Sequence, residues 1–446
     1  MADESTVPGV SSVMSSEVAQ NVDKRLTSMF VRPEAIVGVQ STFTHVIEPL
    51  RAVSPLDEQF DFDLPTTNGY VDLKNMQLYI RGRLTKRDGT HLTGEDKVSV
   101  TNNLLHSLFQ SVTVYVGHNQ LELYSSEFPY KAYIRQLQKY DGKKPTSMLC
   151  EGFLPEDCSR VMDGNELKSA SSRAGMIMVS RTVELMGETL IDLFQTDSYL
   201  MPACPLRIKY RKNRDGFYVI TLPEGKDQEY NFSIEKISLH APTISVAPSM
   251  TPLLEMQTDG APAAYNFEAL GIKQFPLSKD SITRHYSRVF EGRLPSRVLV
   301  TFFDQSAFSG VGRDKNPLMT SDVNVRSISL CVNGVGLREV QVNYGERIFM
   351  EAYQQFIKWM NKKDKEYMVT AKNFPNGFRF YAFDLRDNCG KEHCLEETLT
   401  QGYIDLKLDL HAPHRTEDCV MTVYYFSPQT VFINKQRVAQ LEAAVV

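Results

Sequence analysis

Cysteine and histidine side chains gather in one short stretch whose chemistry could hold a metal ion. Cys389, His393 and Cys394 lie within residues 389–394, and two further histidines and Cys419 follow along the chain. Structural zinc usually takes four thiolate or imidazole ligands in spaced pairs. Because His393 and Cys394 are adjacent, their spacing is poor for chelation. The sequence therefore favours reduced loop thiols over zinc, and we expect no metal and no cofactor.

Paired carboxylates could supply acid–base chemistry on a glycoside. Asp61 and Asp63 lie two residues apart and Asp405 and Asp409 four apart, each pair within an alternating run. Side chains at even spacing share one face of a strand, so both pairs are predicted to face solvent. The chain has no phosphate-loop, metalloprotease or nucleophile-elbow motif, and its G-x-G pairs at 310–312 and 334–336 are interpreted as turns. We therefore expect no enzyme.

One basic stretch with an aromatic residue inside it could contact a nucleic-acid backbone. Arg207, Lys209 and Arg211 alternate around Tyr210 and so share one strand face. The whole chain carries 49 Lys+Arg against 54 Asp+Glu, a formal net charge of −5. A single patch on such a chain gives little affinity at physiological salt, so at most weak non-specific contact with DNA is expected. We interpret the stretch as an edge strand protected by positive charge.

Two predicted helices, at residues 127–140 and 346–360, interrupt the strand-like pattern and carry aromatic stripes. Such stripes are often plain core. They can also face a neighbouring subunit, because obligate interfaces are apolar and rich in aromatic residues. Periodicity does not separate these two interpretations. The candidate assembly or interface residues are Tyr130, Tyr133, Phe349, Tyr353 and Trp359.

The elements that must position these residues are mostly strands. Polar residues alternate with β-branched and aromatic residues in many short runs, for example at 59–64, 111–116, 327–332 and 403–408. Asn-Gly and Asp-Gly pairs separate the runs. Strands without regularly alternating helices indicate β-sandwiches rather than a parallel α/β sheet. A chain of 446 residues is long enough for two or three such cores.

The two helices also reveal an internal repeat. The order strand, turn, strand, helix with an Ala-Tyr pair occurs once in each half: Ser327 follows Ser111 by 216 residues, and Tyr353 follows Tyr133 by 220. The simplest account is tandem duplication of one sandwich, with a linker in the Pro-rich stretch 241–249. The predicted divisions are a flexible N-terminal arm at 1–45, a first domain at 46–247, a second domain at 248–433 and a C-terminal tail at 434–446.

The environment of the chain is also suggested by its sequence. Seven cysteines, an odd number spread over the chain, favour reduced thiols over a disulfide framework. No apolar run approaches the ~18 residues of a membrane span. The first 20 residues have neither the positive region nor the apolar region of a secretory signal. We expect a soluble intracellular product without membrane insertion.

Several short segments occur in a consistent order between about residues 60 and 438. They are FDLP at 62–65, GYVDLKN at 69–75, VTNNLLHSLF at 100–109, FPYKAY at 128–133, FQTDSYL at 194–200, GRLPSRVLV at 292–300 and AFDL at 382–385. As a collinear set they resemble the major capsid proteins of Polinton/Maverick-type elements and adintovirus-like double-stranded DNA viruses.

This resemblance implies an all-β fold of two tandem eight-stranded jelly-roll sandwiches (a double jelly roll) with short flanking helices. It further implies homotrimers that form pseudo-hexameric, hexon-like capsomers in the icosahedral shell of a virion around double-stranded DNA. The implied partners are neighbouring capsomers and a penton or minor capsid protein. We expect the outer loops to include residues 141–172 and 301–322.

A rival hypothesis is a double-jelly-roll carbohydrate-active enzyme or glycan-binding module. It would need acidic residues and tryptophan grouped at a cleft. The chain has a single tryptophan, Trp359, placed on a predicted helix.

Overall fold

The structure, a computed structural model, describes residues 38–65, 68–124, 127–141, 145–154, 168–221, 228–361, 367–385, 401–411 and 417–442. The strands of the first half are β1 (Val39–Ile47), β2 (Gln59–Leu64), β3 (Tyr70–Val71), β4 (Gln77–Lys86), β5 (Val98–Val100), β6 (Phe109–Val116), β7 (Asn119–Tyr124), β8 (Val183–Glu188), β9 (Leu206–Lys212), β10 (Val219–Thr221) and β11 (Tyr230–Val246). Eight of them form two antiparallel sheets in the orders β1-β11-β4-β8 and β2-β9-β6-β7.

The second half repeats this arrangement. Its strands are β12 (Ala263–Leu277), β13 (Thr283–Gly292), β14 (Arg297–Asp304), β15 (Val325–Val332), β16 (Val335–Gln341), β17 (Tyr381–Asp384), β18 (Gly402–Leu410), β19 (Cys419–Ile433) and β20 (Ala439–Glu442). The sheets run β12-β19-β14-β17 and β13-β18-β15-β16, again antiparallel.

The two halves are therefore topological duplicates. The order β1-β11-β4-β8 corresponds strand by strand to β12-β19-β14-β17, and the order β2-β9-β6-β7 corresponds to β13-β18-β15-β16. Each pair of sheets encloses its own apolar core. Eight strands in two such sheets are a jelly roll. The predicted double jelly roll is confirmed, and so is the internal repeat, because its segments 111–116 and 327–332 lie in the equivalent strands β6 and β15.

Helices lie between the strands. They are α1 (Leu104–Ser107), α2 (Phe128–Lys139), α3 (Pro145–Leu149), α4 (Lys168–Ile177), α5 (Asp215–Tyr218), α6 (Thr251–Gly260), α7 (Gln305–Phe308) and α8 (Met350–Trp359), with 3₁₀ turns at Met178–Ser180 and Leu193–Gln195. The two predicted helices are confirmed as α2 and α8. α8 begins later than residue 346 because Asn343 and Ile348 exchange backbone hydrogen bonds of 2.8 Å around Arg347, whose φ is 60°. No helix in the described ranges has the length and apolar character needed to cross a membrane.

Only the end of the Pro-rich stretch 241–249 belongs to the linker that the sequence suggested. Residues 241–246 complete the long strand β11, and the connection to the second roll is made by residues 247–250 and α6. β11 accommodates Pro242 because this residue lies opposite Thr44 of β1, where it gives no hydrogen bond, while its carbonyl accepts one from the Asp72 N–H at 2.8 Å. The prediction was wrong for residues 241–246, because proline at such a position does not end a strand.

Other boundaries also differ from the expected ones. β1 begins at Val39, inside the predicted arm, and residues 1–37 lie outside the described ranges. In the expected outer loop 301–322, residues 301–304 belong to β14 and α7 follows directly. Part of the segment 141–172 lies outside the described residues. Within the expected C-terminal tail, β20 pairs with β19.

Candidate functional site: the interface between the two jelly rolls

Helix α2 carries side chains of the first roll into the core of the second. The Tyr130 ring stacks on Phe308, with 4.9 Å between ring centroids, and lies 5.1 Å from Phe303. Tyr130 and Tyr133 are 2% and 3% exposed and belong to the apolar cluster of the second roll. These two predicted interface residues therefore lie between the two rolls of one chain. We call this contact the inter-roll interface.

The second roll contributes side chains in return. Tyr265 and Phe267 of β12 are 3% and 6% exposed and belong to the apolar cluster of the first roll. The Tyr265 hydroxyl accepts a hydrogen bond of 3.1 Å from the Met201 N–H. β20 adds a backbone carbonyl at Ala439, which accepts a 2.7 Å bond from the Asn119 amide. The inter-roll interface is thus an exchange of aromatic residues and strand edges in both directions.

A buried ion pair crosses the same interface. Arg135 Nη2 lies 2.7 Å from Asp192 Oδ1, and their side chains are 10% and 4% exposed. The second Asp192 oxygen accepts a 2.8 Å hydrogen bond from the Leu270 N–H, and Arg135 also donates to the Glu268 carbonyl. Each charged group of the first roll is therefore satisfied partly by the backbone of β12. Such geometry offsets the cost of burying charge.

At the end of the interface, the loop after α7 lies directly against α5. Arg313 Nη2 contacts Asp215 Oδ2 at 2.9 Å, and the Arg313 carbonyl accepts a 2.9 Å bond from the Thr221 N–H. The backbones approach so closely that a Cβ on Gly216 would lie 1.9 Å from the Gly310 oxygen. A side chain at position 216 is incompatible with this contact.

The three candidate residues near α8 pack within the second roll. Phe349 and Tyr353 lie 6.1 Å and 5.4 Å from Phe374, measured between ring centroids, and Trp359 lies 5.1 Å from Phe426. Phe349 and Trp359 are buried, whereas Tyr353 is half-buried. Their role in contacts between subunits stays a prediction. Sequence reasoning missed Arg135 and Asp192, although an arginine in the middle of an aromatic helix was a visible signal.

The acidic and basic strand residues face solvent and pair with each other. Phe60 and Phe62 are buried, while Asp61 and Asp63 point outward, as the alternation predicted. Arg207 binds Asp63 through two hydrogen bonds, one of them 3.0 Å from Nη2 to Oδ2.

The edge-strand interpretation of the basic stretch was wrong. β9 lies between β2 and β6, so both of its edges are paired. Aspartates of β2 rather than an edge position explain its charges: Asp61 lies opposite Lys209, and Asp63 lies opposite Arg207.

Most of the candidate metal ligands weighed in the sequence lie outside the described residues. Cys389, His393 and Cys394 lie outside the described residues. Within the described ranges, no three histidine, cysteine or acidic side chains are grouped as a metal site. Cys419 is buried, and His411 Nε2 donates a 3.1 Å hydrogen bond to the Val342 carbonyl, a structural role.

Two buried titratable groups lie beneath α2. Burial and then the nearby Glu188 raise the pKa of Glu151 to about 7, while Gln136 donates a hydrogen bond to its carboxylate. Burial lowers the pKa of His106 to about 4. The His106 ring nitrogens lie 3.0 Å from Asn103 Oδ1 and 2.9 Å from the Glu188 carbonyl. We therefore expect the stability of the packing beneath α2 to depend on pH.

Comparisons with known proteins identify the same fold elsewhere. No protein family model matches the chain. An uncharacterized protein of Caenorhabditis elegans, F54H12.2, is 17% identical over 361 residues, which cover 77% of this chain and 83% of that protein.

Among solved structures, a chain of the Sputnik virophage, determined by cryo-electron microscopy, matches with a TM-score of 0.67 and 10% identity over 100% of this chain and 95% of its own. The mavirus major capsid protein matches with a TM-score of 0.56 and 11% identity, over 99% of this chain and 97% of its own. The Faustovirus major capsid protein matches with a TM-score of 0.55 and 8% identity over 96% and 94%. The chain therefore shares its double jelly-roll fold with these viral proteins.

Proposed function

We propose that this chain is a major capsid protein whose homotrimers form pseudo-hexameric, hexon-like capsomers of an icosahedral shell around double-stranded DNA. One observation carries the proposal. Both jelly rolls, in the same order and over nearly the whole of both chains, correspond to the mavirus major capsid protein. A likeness confined to one roll would not distinguish a capsid protein from the many other proteins built on a jelly roll.

The inter-roll interface supports a role in a closed assembly. The exchanged aromatic residues and the buried pair Arg135–Asp192 hold the two rolls in a fixed relation. Three such pairs around an axis would present six similar units, as a pseudo-hexamer requires. We assign the chain to the Polinton/Maverick and adintovirus-like group on the collinear segments in its sequence. Its location would be the virion, its partners neighbouring capsomers and a penton or minor capsid protein.

Charge indicates how such a shell would treat its genome. The chain has a net charge of −5, and the basic face of β9 is compensated by Asp61 and Asp63. A surface of this kind releases few counterions on meeting DNA, so contact with packaged DNA would be weak and non-specific. Another component would have to bring the DNA inside.

The rival hypothesis of a carbohydrate-active enzyme has little support in the described residues. A cleft of about 450 Å³ lies beside α6, but tyrosine, serine, glutamine and apolar side chains line it, without any carboxylate. Trp359 is 1% exposed and therefore cannot stack on a sugar. The pair Asp61 and Asp63 faces open solvent on a sheet.

The proposal is tested with the purified full-length chain by native mass spectrometry and electron microscopy. We expect a species of three times 50.7 kDa and, at higher concentration, hexagonal sheets or shells. A chain that stays monomeric at every concentration and never forms ordered arrays would contradict it. Hydrolysis of a glycan library by that monomer would favour the rival hypothesis instead.

A further inference from the structure

We propose that successive copies of this chain join through the counterparts of the surfaces that join its own two rolls: the open edge of β1 in one copy and the N-terminal end of α8 in the next copy belong to the same contact. This inference rests on the proposed capsomer and specifies its contact. Its basis is the internal duplication, because a surface buried between the rolls has an equivalent on the other roll, where it faces solvent.

Strand pairing fixes which residues correspond. In the first roll, Val46 and Gln77, the first residue of β4, both lie opposite His240. In the second roll, Leu270 and Arg297, the first residue of β14, both lie opposite Phe426. Val46 is therefore the counterpart of Leu270.

Counting back along both strands, Thr44 corresponds to Glu268 and Phe43 to Phe267. Phe267 is 6% exposed because it packs against the first roll, whereas Phe43 is 44% exposed and Val46 is 55% exposed.

The backbone edge of β1 is open in the same register. In β12, the Glu268 carbonyl and the Leu270 N–H point away from β19 and bind Arg135 and Asp192. In β1, Thr44 lies opposite Pro242, which has no N–H and whose carbonyl points to Asp72 on the other side. Thr44, and Val46 two residues on, therefore direct their N–H and C=O groups to the outer edge. No strand of the described chain pairs there.

The other half of the contact is the exposed start of α8. The repeat aligns Tyr353 with Tyr133, so Met350 is the counterpart of Tyr130, the residue that enters the inter-roll interface. Met350 and Ile348 are 57% and 55% exposed. Phe356 and Trp359 of α8 are buried, whereas Ile348 and Met350 are exposed apolar side chains that another molecule can reach.

These two surfaces differ, so the contact is head-to-tail. Each chain offers one open β1 edge and one open α8 end, and a head-to-tail contact generates a ring if its rotation closes. When the contact between copies repeats the inter-roll contact, three chains give six consecutive rolls with every β1 edge and every α8 end occupied. The partner that fits this surface is therefore a second copy of the same chain.

The experiment uses the full-length chain with Val46→Asp or Met350→Asp, each verified as folded by circular dichroism and thermal unfolding. Each variant alone lacks one half of every contact, so we expect at least a tenfold loss of trimer by native mass spectrometry. An equal mixture retains a single intact contact, between β1 of the Met350→Asp chain and α8 of the Val46→Asp chain. The mixture should therefore form a dimer of twice 50.7 kDa and no ring.

Ile282→Asp is the matched control, because Ile282 is 53% exposed but belongs to neither surface, and it should remain trimeric. Trimers of either single variant, absence of the mixed dimer, or an equal loss in the control would overturn this inference while leaving a trimeric capsomer intact. A wild-type chain that never forms trimers would instead contradict the proposed function.

Discussion

Arg135 and Asp192 form an ion pair within the first roll, and the side chain of each also hydrogen-bonds to the backbone of the second. Their closest atoms are 2.7 Å apart, and the pair is nearly excluded from water. The charged contact of α2 with β12 therefore depends on two side chains that must stay together. Neither can be removed without leaving a buried charge without its partner.

Replacing Asp192 by alanine is expected to destabilise the chain by about 3–5 kcal/mol, the usual cost of breaking a buried pair. Urea unfolding monitored by tyrosine and tryptophan fluorescence measures it. Asp197→Ala is the control, because the Lys74–Asp197 pair is 52% and 89% exposed and should contribute less than about 1 kcal/mol. Equal effects of the two substitutions would show that the buried pair has no special role.

Two substitutions of Tyr130 separate the contribution of its ring to stability from the contribution of its hydroxyl. Its hydroxyl is buried without a hydrogen-bond partner among the described residues, so Tyr130→Phe should leave stability unchanged or slightly raised. Tyr130→Ala should cost about 3–5 kcal/mol because it empties the space against Phe308. Thermal and urea unfolding of both variants measure the difference. A large loss of stability in Tyr130→Phe would contradict this prediction, because it would show that the hydroxyl makes a stabilising hydrogen bond.

Gly216→Ala should separate the loop after α7 from α5. The added Cβ would meet the Gly310 oxygen at 1.9 Å, and backbone cannot move aside as a flexible side chain would. We expect a loss of about 1–3 kcal/mol in unfolding free energy, together with faster proteolysis in this loop. Gly94→Ala is the control because nothing lies within 4 Å of its Cβ position. Identical proteolysis of both variants would refute the tight contact.

Glu151 should make stability depend on pH. Its pKa is raised from the ordinary 4.5 to about 7 because burial and Glu188 disfavour the charged form. Between pH 4.5 and about 7, the folded chain holds a proton on Glu151 that the unfolded chain has released. The free energy of unfolding is therefore highest, as far as Glu151 is concerned, below pH 4.5, and it falls as pH rises through 7. The loss amounts to about 3 kcal/mol.

Glu151→Gln should remove this dependence. His106, with its pKa lowered to about 4, gives the opposite slope at acid pH in both proteins, so the difference between them isolates Glu151. Urea unfolding at a series of pH values from 4 to 8 provides the comparison. Parallel stability curves for the two proteins would exclude the assigned shift.

Local patterns predicted the fold because the side-chain period of a strand is a local property. The alternation at 59–64 correctly predicted that Phe60 and Phe62 are buried while Asp61 and Asp63 lie on the opposite, solvent-facing side of the strand. Whether a strand is central or at an edge depends on distant partners. β9 was misplaced because Asp63, which neutralises Arg207, lies 144 residues away.

The site was predicted less completely for a related reason. The stripes of α2 and α8 look alike in sequence, yet α2 enters the other roll and α8 mostly covers its own. Hydrophobic periodicity shows that a helix face is buried but does not identify what buries it. Residues 241–246 were misassigned to the linker in a similar way, because the hydrogen-bond direction at Pro242 is set by β1 and Asp72.

The hydrogen bond between Asn119 and Ala439 joins residues 320 positions apart. A ribosome adds about 5–20 residues per second, so roughly 15–60 s separate the synthesis of these two residues. For the first part of that time, until Phe303 and Phe308 have been added, the first roll carries Tyr130 without the second-roll side chains that pack against it. Each nascent chain therefore passes, on the ribosome, through a partly folded state that exposes apolar surface and is prone to aggregate. In a cell making many copies at once, the spacing of ribosomes along the message and the supply of chaperones would govern the yield of usable protein.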